Sequence, residues 1–304
     1  MPFVFPRVQI VPLADHQVSF TIASKERLRW HYGPQVPRPF FFPLVGPSGH
    51  ALTRMGHPGA PDHDHHRSIW FAHEKVLGVN FWGDRTTARI RQKEWLCYQD
   101  GDDAGVMAVR LGWYDGHDPK ELIEQELIVS VSPGPSEGET LVELQSTFRP
   151  TGDSLEFGAT NFGFLAVRMA RSLSAFFGGG LLTSSTGERG EPALFGKPAK
   201  WMDYSGPVPG DRTEGITYFD HPDNAGHPAV WHVREDGWMG ASACRPNALT
   251  TTKAKPLTLR YLLWAHAGEG EVKKADAVFA EFAKRPAWTV RKSMKKHTAF
   301  EAAR

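Results

Sequence analysis

Strand-length runs separated by turn clusters dominate the middle of the sequence. Four such runs lie between residues 90 and 148, namely IRQKEWLCY, VMAVRLGWY, ELIEQELIVSV and TLVELQSTF. They are followed in turn by QDGDDAG, DGHDPK, SPGPSEGE and RPTGDS. β-branched and aromatic residues favour strands, whereas Gly, Pro, Asp and Ser favour turns. Four runs at such short intervals predict an antiparallel meander.

Further runs extend the all-β pattern along the chain. The segments PAVWHVRE, GWMGASAC and LTLRYLLWAHAG have strand length, and the sequence contains 10 Trp, 19 Phe, 30 Gly and 23 Pro. In TLVELQSTF, Leu141, Glu143 and Gln145 alternate with Val142 and Leu144, which predicts a half-buried strand. We predict an all-β, mainly antiparallel fold in which residues 1–304 form one large β-sandwich domain.

Helical periodicity is clear in one stretch, VKKADAVFAEFAKR, at residues 272–285. Its apolar residues recur at helical spacing, at Ala275, Val278, Phe279 and Phe282. Pro286 follows and ends the pattern. We predict a peripheral helix on the edge of a sheet, followed by a solvated basic tail at residues 289–304.

Charge and apolar pattern exclude several classes of partner. The net charge is +1, so neither nucleic acid nor an anionic membrane surface is an expected partner. No apolar run approaches the roughly 20 residues that span a bilayer.

Cys97 and Cys244 lie far from each other outside any CxxC motif, so we expect both to be unpaired and dispensable for activity. The first residues lack the pattern of a signal peptide, and a cytoplasmic location is the expectation. The oligomeric state stays open.

Histidine is concentrated in GHPGAPDHDHHRSIWFAHE, residues 56–74. Six of the 14 histidines fall between His50 and His73. Imidazole both gives and takes a proton near neutral pH. One interpretation is a polar surface loop. A second is a divalent metal site through His63 and His65, although Ile69 and Trp70 stand where an HxH-x(3,4)-E pattern would place its Glu. A third is an acid–base and substrate-binding site that needs no cofactor.

The distal half of the sequence offers partners for this cluster. The segment TYFDHPDNAGHPAVWHVRE repeats an Asp-His pair, because Asp220-His221 matches Asp62-His63. Aromatic residues flank both pairs. Aromatic rings pack on the C–H faces of sugars while polar groups bind the hydroxyls, so we predict that the two loops meet at one concave sugar-binding site.

The histidine block resembles a known family. DHDHHRSIWFAHEKVLGVNFW is similar to the DHPHHRGLWFAH…VNG.DFW signature of the DUF6807 family, long labelled as a methane oxygenase (PmoA) family. The resemblance runs from about residue 38 to about residue 267 and departs from the signature at Asp64 and Asn80. A membrane methane monooxygenase needs transmembrane helices, so the label fits poorly. The resemblance implies a bacterial protein of carbohydrate catabolism with a galactose-mutarotase type of β-supersandwich.

We therefore hypothesise an enzyme doing acid–base chemistry on a sugar or sugar-derived substrate, of epimerase, lyase or hydrolase type. His65 and His66 are the predicted proton-transfer groups, with Asp220 and His221 as a second catalytic arm. The predicted substrate-binding residues are His63, Arg67, Trp70, His73, Arg168, His232 and His266. A metal-dependent enzyme and a non-catalytic carbohydrate-binding protein are the alternatives.

Overall fold

The computed structural model describes residues 5–57 and 63–304. Strands are numbered β1 to β20 and helices α1 to α3 in chain order. In the described residues the first sheet has eight antiparallel strands. Their spatial order is β1 (Val8–Leu13), β2 (Gln17–Ile22), β3 (Lys25–His31), β4 (Phe40–Leu44), β5 (Ile69–His73), β11 (Gly163–Arg168), β16 (Trp238–Ala241) and β15 (Trp231–Arg234).

The second sheet also has eight antiparallel strands within these ranges. Their spatial order is β12 (Leu181–Ser184), β13 (Trp201–Val208), β14 (Arg212–Asp220), β18 (Leu257–Ala267), β9 (Thr140–Pro150), β8 (Ile123–Pro133), β7 (Gly105–Tyr114) and β6 (Arg89–Gln99). The adjacent strands β6 to β9 are the predicted meander.

Smaller elements connect and cover the two sheets. Two further sheets have two antiparallel strands each. One pairs β10 (Ser154–Phe157) with β17 (Leu249–Thr252), and the other pairs β19 (Thr289–Lys292) with β20 (Phe300–Ala303). The helices are α1 (Ala175–Gly178), α2 (Glu191–Leu194) and α3 (Val272–Ala283), with a 3-10 turn at Arg171–Leu173. None of the described helices is long and apolar enough to cross a membrane.

The two large sheets pack face to face around one apolar core. Phe71 of the first sheet meets Tyr261 of the second with ring centroids 6.3 Å from each other. The hydroxyl of Tyr218 in β14 donates to the carbonyl oxygen of Leu165 in β11 at 3.1 Å. Side chains alternate across a strand, so neighbours such as Trp70 point to the outer face of the first sheet. The predicted all-β sandwich is confirmed.

The outer face of the second sheet is covered rather than solvated. α3 packs Ala275 and Phe282 against Trp201, Phe219 and Leu262 on inner strands of the sheet. The helix is confirmed, but its predicted position on a sheet edge is wrong, because its apolar stripe lies over the sheet face. Because this sheet buries apolar area on both of its faces, the sequence needs many large apolar side chains, which explains its 10 Trp and 19 Phe.

Two further predictions about this face need correction. Residues 289–304 are not a free tail, because β19 and β20 pair and place Ala302 against Leu96 and Cys97, although the basic residues of the segment are exposed. β9 is not half-buried, since nearly every residue in it is buried. The side chain of Gln145 in β9 exchanges hydrogen bonds with the main chain of Trp288, at 2.8 and 2.9 Å. The C-terminal segment therefore supplies the cover that the sequence pattern does not show.

Both cysteines are free and buried. Cys244 lies in the core between the sheets and Cys97 lies under the C-terminal hairpin. The prediction that they are unpaired is confirmed.

Candidate functional site

The outer face of the first sheet carries a group of indole rings. Trp70 and Trp82 have ring centroids 5.2 Å from each other, and Trp82 meets Trp238 at 5.8 Å. Ile69 and Phe71 point into the core, so alternation along β5 puts Trp70 on the outer face. We call Trp70, Trp82 and Trp238 the indole floor. All three side chains are buried, so the outer face of the first sheet is covered here by a second, smaller apolar cluster.

A cavity of about 370 Å³ lies above the indole floor. This volume falls within the range of small-molecule sites. Its walls combine aromatic rings, imidazoles, an arginine and two carboxylates, contributed by His63, His65, His66, Glu74, Asn80, Trp82, Gly83, Phe162, His232, Arg234, Asp236 and Trp238. The structure thus brings together His63, His65, His66 and His232 of the predicted site.

His66 is more buried than its neighbours His63 and His65. Its ring is nearly parallel to those of Trp70 and Trp238, at centroid distances of 5.5 and 5.8 Å, and it meets His65 edge-on at 4.4 Å. Burial, and then the neighbouring charges, lower the pKa of His66 far below its ordinary value. The ring is therefore neutral near pH 7 and offers one donor and one acceptor. Its buried Nδ1 atom has no hydrogen-bond partner in the described residues.

His232 approaches the same cavity from β15. Its ring meets Trp238 edge-on at 4.2 Å and Phe162 at 5.2 Å. Burial lowers the pKa of His232 to about 4, so this ring is also neutral near pH 7. Its Nδ1 atom is likewise buried without a partner in the described part of the chain. Buried polar atoms usually have partners, so these two nitrogens are exceptions beside one cavity.

Asp236 is a cavity residue that sequence reasoning missed. The guanidinium of Arg168 donates to both its carboxylate oxygens, at 3.1 and 3.3 Å, and His57 Nε2 lies 3.5 Å from Oδ2. Burial raises the pKa of Asp236, but the hydrogen bonds and charge of Arg168 outweigh burial and lower it. Arg168 is fully buried and does not line the cavity. It holds Asp236 ionised and in place instead of contacting a ligand.

Arg38 is a second missed residue, and it fixes the loops around the cavity. Its guanidinium is 1% exposed and donates to the carbonyl oxygens of Phe81 at 3.1 Å, of Trp82, and of His65 at 3.4 Å. It also donates to the Asp84 carboxylate at 2.8 Å. We call this arrangement the Arg38 knot. A guanidinium presents five donors in one plane, so one side chain can tie two loops.

Arg67 belongs to the Arg38 knot rather than to the cavity wall. Its guanidinium binds both oxygens of Asp84, at 2.9 and 2.6 Å. Burial raises the pKa of Asp84, but Arg67 and Arg38 outweigh burial and lower it. The sequence assigned Arg67 to substrate oxygens. In the structure the carboxylate that Arg67 binds is Asp84 of the same protein. The neighbouring histidines line the cavity, and Arg67 does not.

Asn80 shows how the departure from the family signature is accommodated. Its side-chain oxygen accepts hydrogen bonds from the backbone N–H groups of Trp82 at 2.8 Å and Gly83 at 2.9 Å. An amide oxygen and a carboxylate oxygen both accept such bonds. The turn that carries Trp82 into the indole floor therefore forms with Asn at this position.

Two predicted binding residues lie away from the cavity. His73 is fully buried between Phe164 and Phe157, at 4.8 and 5.3 Å, because it shares the inward face of β5 with Ile69 and Phe71. His266 lies on the outer face of the second sheet, where its Nε2 is 2.7 Å from Asp203 Oδ2. Neither ring lines the cavity of the first sheet.

The loop at Asp220 and His221 does not join the histidine cluster. His221 packs edge-on against Phe282 of α3 at 4.8 Å, on the outer face of the second sheet. Asp220 accepts hydrogen bonds from Asn224 at 2.7 Å and Ala229 at 2.9 Å. His66 occupies the opposite outer face of the sandwich, so the prediction that the two loops meet is wrong. Alternation along β14 gives His221 the same face as Phe219, and the repeated Asp-His pair serves a local turn.

Metal ligation is not visible as a preformed cluster in the described residues. Within residues 5–57 and 63–304, no group of three or more His, Cys, Asp or Glu is arranged to hold an ion. The rings of His63 and His65 lie parallel with centroids 6.1 Å from each other. Asp62, the other half of the first predicted Asp-His pair, falls outside the described residues. The metal hypothesis stays a prediction.

A family model described as "Family of unknown function (DUF6807)" matches residues 17–280. The chain belongs to the DUF6807 family. The match confirms the resemblance carried by the histidine block and covers both large sheets of the sandwich apart from β1. No curated protein matches this DUF6807 chain.

Two solved structures show a distant likeness to the DUF6807 protein. One is an Escherichia coli K12 protein described as a "Putative aldose 1-epimerase", with a TM-score of 0.38 and 12% identity over 86% of this chain and 100% of that one. Another is the 4-alpha-glucanotransferase from Thermococcus litoralis, with a TM-score of 0.32 and 9% identity over 86% of this chain and 40% of that one. With TM-scores this low, the likeness says nothing about activity. Any inference about activity has to come from the residues of the cavity.

Proposed function

We propose that the DUF6807 protein is an enzyme that performs histidine acid–base chemistry on a sugar or sugar-derived substrate bound above the indole floor. The observation that carries the proposal is the composition of one cavity, where four imidazoles and two carboxylates surround indole rings. The C–H faces of a sugar ring pack on aromatic rings, and its hydroxyls need both donors and acceptors. A neutral imidazole supplies one of each.

The proposed roles follow the positions of the side chains. His65 and His66 transfer protons, with His232 as a third candidate because it faces the same cavity. His63 and Asp236 bind substrate hydroxyls, and Trp70 supports the floor beneath His66. Arg67 and Arg168 position neighbours through Asp84 and Asp236. Asp220, His221, His73 and His266 have no role at this cavity.

The test begins with a screen of sugars by calorimetry and by turnover, followed by paired variants. His66→Ala should lower kcat by roughly 10² to 10⁴, the usual range for loss of a general acid or base. His221→Ala is the matched control, because it removes the same side chain on the opposite face. Equal kcat in wild type and His66→Ala, or an equal loss in His221→Ala, would contradict the assignment.

Two further outcomes separate the alternatives. Binding of a sugar without any turnover would favour a non-catalytic carbohydrate-binding protein. One equivalent of tightly bound transition metal per chain, with activity abolished by a chelator, would favour a metal-dependent enzyme. That measurement needs protein purified without a chelator or nickel resin.

A further inference from the structure

The cavity has a carboxylate at each of two distant ends. Glu74 follows β5, and its backbone N–H donates to the carbonyl oxygen of Phe162 at 3.0 Å, next to the start of β11. Asp236 binds the guanidinium of Arg168, the last residue of β11. Both acidic residues line the same cavity. The cavity therefore runs along β11.

The strand gives the length of this cavity. Glu74 lies level with Phe162, Asp236 lies in the turn before Trp238, and Trp238 pairs with Arg168; because an extended strand rises about 3.3 Å per residue, the main chains that carry the two carboxylates are on the order of 20 Å from each other. The acid pairs of glycoside hydrolases are only about 5 to 10 Å from each other. Glu74 and Asp236 are therefore not such a pair, and proton transfer falls to the imidazoles.

The imidazoles lie between the two ends. Ala166 of β11 pairs with Trp70 on one side and with Gly240 on the other, and Gly240 pairs with His232. His66 stacks on Trp70 and His232 meets Trp238. Two neutral rings thus flank the cavity inside its ends, where the middle of an extended ligand would lie.

Each carboxylate has a fixed neighbour and remaining capacity to accept. The hydroxyl of Thr160 donates to Glu74 Oε2, and the two oxygens of Asp236 receive the guanidinium of Arg168. A carboxylate accepts about four hydrogen bonds, so both can also bind ligand hydroxyls. A single hexose ring is too short to contact both.

We propose that the substrate consists of two ring units, as in a disaccharide or a glycoside with a ring-sized aglycone. One unit binds at the Glu74 end beside Phe162, the other binds at the Asp236 end, and the linkage between them faces His66 and His232. This inference rests on the proposed function and names the substrate class of the same cavity.

The experiment compares ligands that differ only in length. Isothermal titration calorimetry is run with glucose and galactose, and with maltose, cellobiose, lactose and melibiose. At least one disaccharide should bind 10-fold or more tightly than either monosaccharide. Glu74→Gln and Asp236→Asn should each weaken disaccharide binding about 10-fold, in the range for loss of a charged hydrogen bond. Only one of the two should weaken monosaccharide binding, because a single ring occupies one end.

Glu137→Gln is the matched control, since Glu137 is exposed in the turn between β8 and β9 of the second sheet. It should leave every affinity unchanged. If Asp236→Asn fails to fold, Glu74→Gln and Phe162→Ala still test the other end. Equal affinity for monosaccharides and disaccharides, or unchanged disaccharide binding in Glu74→Gln, overturns the inference while the proposed function stands. Absence of binding by every sugar contradicts both.

Discussion

The His266 and Asp203 side chains form a buried pair, with exposures of 2% and 0%. Burial lowers the pKa of His266, but the charge and hydrogen bond of Asp203 outweigh burial and raise it. A raised folded-state pKa gives stability that is fully present below the unfolded value of about 6.5 and is lost as pH rises through the folded value. The wild-type protein should therefore lose stability as pH rises from about 6.5 through the folded-state pKa of His266.

The matching variant is Asp203→Asn, which removes the charge that holds His266 protonated. Breaking a buried pair costs about 3–5 kcal/mol, so we expect a deficit of this order at pH 6 in urea unfolding. The deficit should shrink as pH rises through the folded-state pKa of His266, because wild-type His266 then loses its proton. A deficit that grows with pH would contradict the pairing.

Among the elements, α3 offers the clearest separation of stability from activity. Phe282 is fully buried against the second sheet, on the side of the sandwich opposite the cavity. Phe282→Ala should cost about 3–5 kcal/mol in free energy of unfolding. Phe279, which is only partly buried, should cost less when truncated. Denaturant titration and kcat per folded molecule measure the two effects, and a loss of kcat without a loss of stability would contradict the placement of α3.

Local pattern was enough to predict the meander β6 to β9 and the helix, and it singled out four histidines that line one cavity, at residues 63, 65, 66 and 232. Local pattern failed where segments distant in sequence determine the burial or the partners of a residue. The cover that buries β9 comes from α3 and the C-terminal hairpin, more than 100 positions along the chain. Asp236 and Arg38 become site residues only because Arg168 and the loop at residues 81–84 fold next to them. The strand parity of His73 with Ile69 and Phe71 was a usable signal, and it indicates an inward ring.

At the scale of the whole molecule, one apolar core joins the two sheets, and we expect the sheets to unfold together. The two thiols can report on it, because burial raises the pKa of Cys244 to about 12 and also raises that of Cys97. Neither should react with iodoacetamide in the native protein, since the thiolate is the reactive form. In a denaturant series followed by mass spectrometry, both should become labelled in the same transition. Earlier labelling of Cys97 would show that the C-terminal hairpin detaches first.

The Arg38 knot has a consequence for how such a protein diversifies. Four of the groups that Arg38 binds are main-chain carbonyl oxygens, which every amino acid possesses. Arg38 therefore holds the loop through its main chain. Side chains that face the cavity can be exchanged without losing these hydrogen bonds. Libraries randomised at His63 and His65, with Arg38, Asn80 and Asp84 kept, should yield folded proteins of altered ligand preference. The same substitutions in an Arg38→Ala background should mostly fail to hold the loop.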